Sequence, residues 1–137
     1  MDYTLMFYLS QDEFSARTDP ARQAAFWGAF VPYMKALQES GIVVGGAGLQ
    51  PPDTATTVRL QGGKALVQDG PYANTKEQLG GFFIIRVPDL DAALEWAKRY
   101  PAGEGGLVEV RPNIPNGGAD SGRGNPQFSG ARGALFV

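Results

Sequence analysis

The sequence contains neither cysteine nor histidine, and these two absences exclude much familiar protein chemistry. Without cysteine there is no disulfide framework, no thiolate nucleophile and no cysteine-bound cluster. Without histidine there is no serine–histidine triad, no imidazole base and no histidine-bound zinc or haem. Acid–base chemistry would fall to carboxylates, lysine or tyrosine, and the sequence gives no reason to expect a cofactor or a metal.

Long apolar runs and basic runs are missing as well. The formal net charge is -2, so the electrostatic footprint of nucleic-acid binding is absent. No apolar stretch approaches the roughly 18 residues of a membrane span, and residues 1–9 are too short for a signal peptide. We therefore expect a cytoplasmic protein that binds neither nucleic acid nor membrane. Its 137 residues, 43% of them hydrophobic, suit one domain with a core.

Strand and helix periodicities alternate along the first 112 residues. The predicted elements are strand 3–9, helix 20–40, strand 42–44, hairpin strands 56–60 and 64–68, strand 81–87, helix 90–100 and strand 107–111. This order indicates an α+β fold of the ferredoxin-like βαββαβ type with an inserted β-hairpin. We expect residues 1–112 to form this domain and residues 113–137 to form a C-terminal arm rich in glycine and proline.

Local signals refine these boundaries. Thr18, Asp19 and Pro20 predict the start of the first helix, and Pro32 predicts a kink within it. Asn74 with Glu77, or Thr75 with Gln78, predicts a capping box on one further helical turn. Glycines at 80 and 81 indicate either a bulge or a close approach to the backbone.

Apolar side chains occupy both faces of two predicted strands, 3–9 and 81–87. Two helices cover only one face of a sheet, and each large side chain left on the other face forgoes about 1.5–3 kcal/mol of burial. An exposed patch of this kind is typical of an interface. We expect a homodimer that packs two sheets face to face, although the arm 113–137 could cover the same face within one chain.

Several segments of the chain resemble the YCII-related proteins, also called the DGPF family. They are the motif Asp69-Gly70-Pro71-Tyr72 with its continuation to Phe82, and the segments 55–59, 90–97 and 108–112. The resemblance implies a ferredoxin-like dimeric α+β barrel. It departs at Tyr72, where the family has phenylalanine, and after Pro112. The histidine–aspartate pair of some relatives cannot be carried over, because this chain has no histidine.

The candidate catalytic residues are Asp69 and Lys76. Asp69 suits a general base or a ligand acceptor, but an aspartate before Gly-Pro also suits a turn. If Lys76 folds back towards Asp69, its ammonium would keep that carboxylate ionised. The candidate substrate-binding residues, in a pocket expected between the sheet and the long first helix, are Tyr8, Trp27, Arg59, Tyr72 and Arg111.

The arginines have two interpretations. Arg59 or Arg111 could hold a substrate carboxylate through two hydrogen bonds, whereas a Glu109–arginine ion pair between neighbouring strands is the plainer account. Two functions therefore stay open. One is an enzyme or binder acting on a small molecule near the Asp69-Gly70-Pro71-Tyr72 motif. The other is a non-catalytic accessory protein that binds a protein partner such as an extracytoplasmic-function sigma factor, which family members are often encoded beside.

Overall fold

A computed structural model of the protein describes residues 1–103 and 106–115. Within these ranges the chain forms six strands, three α-helices and a short 3₁₀ helix at Pro52–Thr54. They are β1 (Asp2–Ser10), α1 (Gln11–Ala16), α2 (Gln23–Glu39), β2 (Val43–Gly48), β3 (Thr56–Gln61), β4 (Lys64–Asp69), β5 (Glu77–Arg86), α3 (Leu90–Lys98) and β6 (Leu107–Pro112). The predicted arm, apart from residues 113–115, lies outside the described residues.

Four of the strands form one antiparallel sheet in the order β2-β5-β1-β6. The other two, β3 and β4, pair with each other as a separate hairpin. Its turn residues Gly62 and Gly63 have φ of +57° and +77°, the left-handed values that a tight two-residue hairpin turn requires. The α+β order with an inserted hairpin is therefore confirmed, and the dimeric barrel stays a prediction.

Helices α2 and α3 pack on one face of the main sheet. The buried core there is aromatic and aliphatic: Tyr3, Leu5, Phe7, Phe30, Tyr33, Leu37, Val43, Phe83, Ile85, Val87 and Ala93. Phe7 lies at its centre, with edge-on ring contacts to Phe30 at 6.3 Å and to Phe83 at 5.9 Å between centroids. Such contacts add about 0.5–1.5 kcal/mol per pair to the burial itself.

The opposite face of the sheet, which we call the open face, carries Thr4, Met6, Tyr8, Phe82 and Ile84. These side chains are partly exposed, whereas their neighbours along β1 and β5 are buried. Apolar groups therefore do occupy both faces of β1 and β5, as the sequence predicts.

The start predicted at Thr18-Asp19-Pro20 is found in part: Asp19 Oδ1 accepts from the Ala21 amide at 3.0 Å and the Asp19 carbonyl accepts from the Gln23 amide at 2.8 Å, so this turn leads into α2, whose first residue is Gln23. Helix α1 begins earlier, where the backbone of Glu13 donates to Ser10 Oγ at 3.1 Å and Glu13 Oε1 accepts from the Ser10 backbone at 3.0 Å. This capping box ends the strand and starts a short helix at once. Helix α2 then begins at Gln23 without a side-chain cap and continues through Pro32 as one helix.

The helical turn predicted over residues 74–78 is wrong. Strand β5 already begins at Glu77, which pairs with Ser10 of β1. The Gln78 side-chain amide donates to the carbonyl of Ala73 at 2.6 Å and to that of Thr75 at 3.2 Å. The ladder with β1 takes the backbone groups that a helical turn would need, so the polar side chains brace a loop instead.

Candidate functional site

A groove of about 660 Å³ lies where three loop or helix segments meet. One wall is α1 with the turn after it, the second is the 3₁₀ helix at Pro52–Thr54, and the third is the loop between β4 and β5. The lining residues are Gln11, Phe14, Ser15, Thr18, Pro51, Pro52, Asp53, Pro71, Asn74, Thr75, Lys76 and Gln78. This volume is in the range of small-molecule sites.

The α1 wall is fixed by Arg17, which follows the helix. Its guanidinium donates to the carbonyl of Leu49 at 2.5 Å and to that of Gly80 at 2.7 Å, so α1 is tied to the segments that follow β2 and begin β5. The same guanidinium lies 4.9 Å from the ring centre of Phe14, which is buried at the base of α1. Hydrogen bonds and ring packing therefore hold the α1 wall of the groove in place.

The groove combines apolar, neutral polar and charged groups. Phe14 and three prolines give apolar contact, and the amides and hydroxyls of α1 and the loop give hydrogen-bonding capacity. Two charges of opposite sign, Lys76 and Asp53, also line it, and neither forms an ion pair or hydrogen bond with another described residue. The site can hold a small molecule that has both an apolar part and a charged group.

Among the predicted catalytic residues, only Lys76 lies on this groove. Asp69 is the last residue of β4, exposed and opposite Thr56. The pairing of the two hairpin arms continues one residue beyond it, because the Gly70 amide donates to the carbonyl of Ala55 at 2.7 Å. Over the described part of the chain no ion pair joins Lys76 to Asp69, and both interpretations of Asp69 stay predictions.

Arg59 and Tyr72 meet each other on the hairpin side of the motif. The Arg59 guanidinium lies 5.5 Å from the ring centre of Tyr72, a cation–π distance. Tyr72 is 77% exposed. The two residues form an exposed stacked pair that does not line the groove.

Tyr8 and Arg111 meet on the open face through Glu109. The Tyr8 hydroxyl donates to Glu109 Oε1 at 3.1 Å, and Arg111 Nη2 donates to Glu109 Oε2 at 2.8 Å. Burial, and then the bond to Glu109, raise the pKa of Tyr8, whereas Arg111 lowers the pKa of Glu109. The ion pair thus forms within β6, not between neighbouring strands as the plainer account supposed.

Trp27 is partly buried and packs against the core, and its indole N–H donates to the carbonyl of Arg17 at 2.9 Å. The cavity beside it, between α2 and the sheet, measures only about 10 Å³, which is space for one water. The pocket expected at this place is filled by the rings of Phe7, Phe30 and Tyr100. The predicted binding residues are therefore distributed over three places.

Sequence reasoning missed most residues of the groove: those of α1, of segment 51–53, and Asn74 and Gln78. The one available signal was the spacing of Ser10 and Glu13, which predicts a helix start and so a short wall after β1. In the described ranges no cluster of acidic residues could hold a metal ion. Nor does any helix there have the length and hydropathy to cross a membrane.

Residues 1–115 match the YCII-related domain, and the chain belongs to that family. The resemblance drawn from the motif at 69–82 is thereby confirmed. The chain is also similar to an uncharacterized protein of Rhizobium meliloti (strain 1021), with 39% identity over 85 residues. That alignment covers 58% of this chain and 68% of the relative.

Proposed function

We propose that this YCII-related protein binds a small molecule with an anionic group and an apolar body. The binding site is the groove between α1, the 3₁₀ helix at Pro52–Thr54 and the loop 71–78. The proposal depends above all on the groove itself, which has the volume of a ligand site and includes Pro71 of the family motif.

The charge selection in this proposal comes from Lys76. Its ammonium lines the groove without a carboxylate partner in the described chain, so an anionic group can approach it without displacing an existing ion pair. Asp53 on another wall adds an acceptor for a donor group of the ligand. Phe14 and the prolines supply the apolar contact that holds the rest of the molecule.

The test uses simple probes that share a phenyl ring and carry different charged groups: phenylacetate, phenyl phosphate and phenethylamine. Calorimetric titration of the full chain should show that the two anions bind more tightly than the amine. Lys76→Ala should weaken anion binding by about threefold to tenfold, because one charge-assisted contact is lost. Lys64→Ala is the matched control, since Lys64 is an exposed lysine of β4 outside the groove.

Equal affinity for the amine and the anions, or equal losses in the two lysine variants, would contradict the proposal. Catalysis by Asp69 with Lys76 stays a prediction, and so does the accessory role beside a protein partner.

We also propose that two copies pack their open faces together to form a dimeric α+β barrel. The support is the partly exposed apolar set on that face, which includes Met6, Phe82 and Ile84. Met6→Glu would place a charge in this contact and should convert a dimer to single protomers in sedimentation velocity. Dimers that persist in this variant would contradict the packing.

A further inference from the structure

The groove between α1, the 3₁₀ helix and the loop 71–78 carries charges of both signs. The charged members of its lining are Lys76, on the loop, and Asp53, on the 3₁₀ helix. They form no ion pair with each other or with another described residue. Both charges are therefore available to one ligand, and they face it from two different walls.

The two walls that carry these charges are braced. The 3₁₀ helix that holds Asp53 is closed by the Thr54 hydroxyl, which donates to the carbonyl three residues earlier at 2.7 Å. The loop that holds Lys76 is braced by the side-chain amide of Gln78, which donates to two of its carbonyls. A backbone that is held before the ligand arrives reduces the entropy cost of binding.

Neutral polar side chains of the groove are also available. The hydroxyls of Ser15 and Thr18 and the side-chain amide of Asn74 form no hydrogen bond with another described residue. An ammonium group has three donors to satisfy, and a carboxylate accepts hydrogen bonds at two oxygens. The groove therefore has both donors and acceptors left for an ammonium and a carboxylate, in addition to its two charges.

We propose that the groove binds an amino acid with an apolar side chain, through both its carboxylate and its amino group. This inference rests on the proposed function, which already assigns the anionic group to Lys76. The carboxylate pairs with Lys76, the ammonium pairs with Asp53, and the side chain packs on Phe14 and the neighbouring prolines. The lysine stem is flexible, so its ammonium can reach a carboxylate on the same carbon as the amino group.

A ligand with a single charge fits this lining less well. A simple anion that is attracted by Lys76 meets the like charge of Asp53 in the same groove, and a simple cation meets the like charge of Lys76. Like charges oppose binding, so each of these ligands loses part of the attraction. A zwitterion has an opposite charge to offer at both positions.

The first experiment compares phenylalanine with two analogues by calorimetric titration of the full chain at neutral pH. Hydrocinnamate lacks only the amino group, and phenethylamine lacks only the carboxylate. Phenylalanine should bind about threefold to tenfold more tightly than either analogue, because each exposed charge pair contributes modestly.

The second experiment assigns each charge of the ligand to its partner. Asp53→Asn should remove the difference between phenylalanine and hydrocinnamate without weakening hydrocinnamate, because only the amino group loses its partner. Lys76→Ala should remove the difference between phenylalanine and phenethylamine. Asp91→Asn is the matched control, since Asp91 is an exposed aspartate of α3 outside the groove, and it should keep both differences.

Three results would overturn the inference. The first is hydrocinnamate binding that depends on Lys76 while phenylalanine binds no more tightly, and in that case the proposed function stands. The second is an equal loss of phenylalanine and hydrocinnamate binding in Asp53→Asn, because Asp53 would then only support its wall. The third is no binding of any of the three probes, which would contradict the proposed function as well.

Discussion

The Arg17 guanidinium donates to the carbonyl oxygen of Gly80 across 2.7 Å, joining the end of α1 to the bulged start of β5. Burial lowers the pKa of Arg17, and no carboxylate pairs with it in the described ranges. Its Nε is buried without a partner there. Arg17 thus acts as a clamp, because its guanidinium binds two main-chain carbonyls. These bonds hold α1 in position as one wall of the groove.

Replacing Arg17 should loosen this clamp. Arg17→Met would leave the carbonyl of Leu49 without its guanidinium donor, and we expect a loss of about 1–3 kcal/mol of unfolding free energy. Arg22→Met is the control, because Arg22 forms exposed ion pairs that solvent screens, so its loss of stability should be clearly smaller. Urea denaturation compares the two, and equal losses would mean that the clamp has no special role.

Gly80 should not tolerate a side chain. A Cβ at this position would lie 2.7 Å from Leu9 Cδ1 and 3.0 Å from Arg17 Nη2, closer than van der Waals contact allows. Gly80→Ala should therefore cost about 1–3 kcal/mol, since Leu9 and Arg17 must both move. Gly28→Ala, in helix α2 with nothing within 4 Å, should instead stabilise by about 0.5–1 kcal/mol. Thermal unfolding distinguishes them, and a neutral Gly80→Ala would be inconsistent with the packing.

The Ser10 cap should matter for the groove as well as for stability. Ser10→Ala removes the acceptor of the Glu13 amide and should destabilise the protein by about 1 kcal/mol. Because α1 then frays, the same variant should bind phenylacetate more weakly than the parent chain. Ser15→Ala, on the exposed side of α1, should change stability by less than about 0.5 kcal/mol. If Ser10→Ala leaves both stability and binding intact, α1 is not held by its cap.

Alkaline pH should unfold the chain through its buried tyrosines. Burial raises the pKa of Tyr100 to about 12 and also raises that of Tyr33. A raised folded pKa stabilises the folded state below the unfolded pKa of about 10, and this contribution is lost as the pH rises towards 12. Thermal midpoints should fall over that interval, and Tyr100→Phe should reduce the fall. If the thermal midpoints of the parent chain and of Tyr100→Phe fall equally between pH 10 and pH 12, Tyr100 does not have this role.

Much of the fold could be predicted because its signals are local. Asp89 caps α3 by accepting from the Ala92 amide at 2.9 Å, as its position before the apolar pattern indicates. The glycine pair at 62 and 63 likewise marks the hairpin turn. Asp19 likewise starts the turn that leads into α2, whereas the Ser10–Glu13 capping box, an equally local signal, starts a helix that was not predicted.

The groove could not be predicted in the same way. Its walls come from residues 11–18, 51–53 and 71–78, which are brought together by Arg17 and by the pairing of β1 with β5. The meeting of these three segments depends on tertiary contacts, which the periodicity of apolar residues in the sequence does not reveal. Tyr8 and Arg111 show the same limit, because their side chains meet at Glu109 on the open face and not at the motif.

The most direct test of the groove is backbone amide NMR of the full chain titrated with phenyl phosphate. We predict shifts concentrated at Ser15, Thr18, Thr75, Lys76 and Gln78, abolished or strongly reduced in Lys76→Ala and retained in Lys64→Ala. Shifts centred on the hairpin or on the open face, or no saturable shift, would contradict the account.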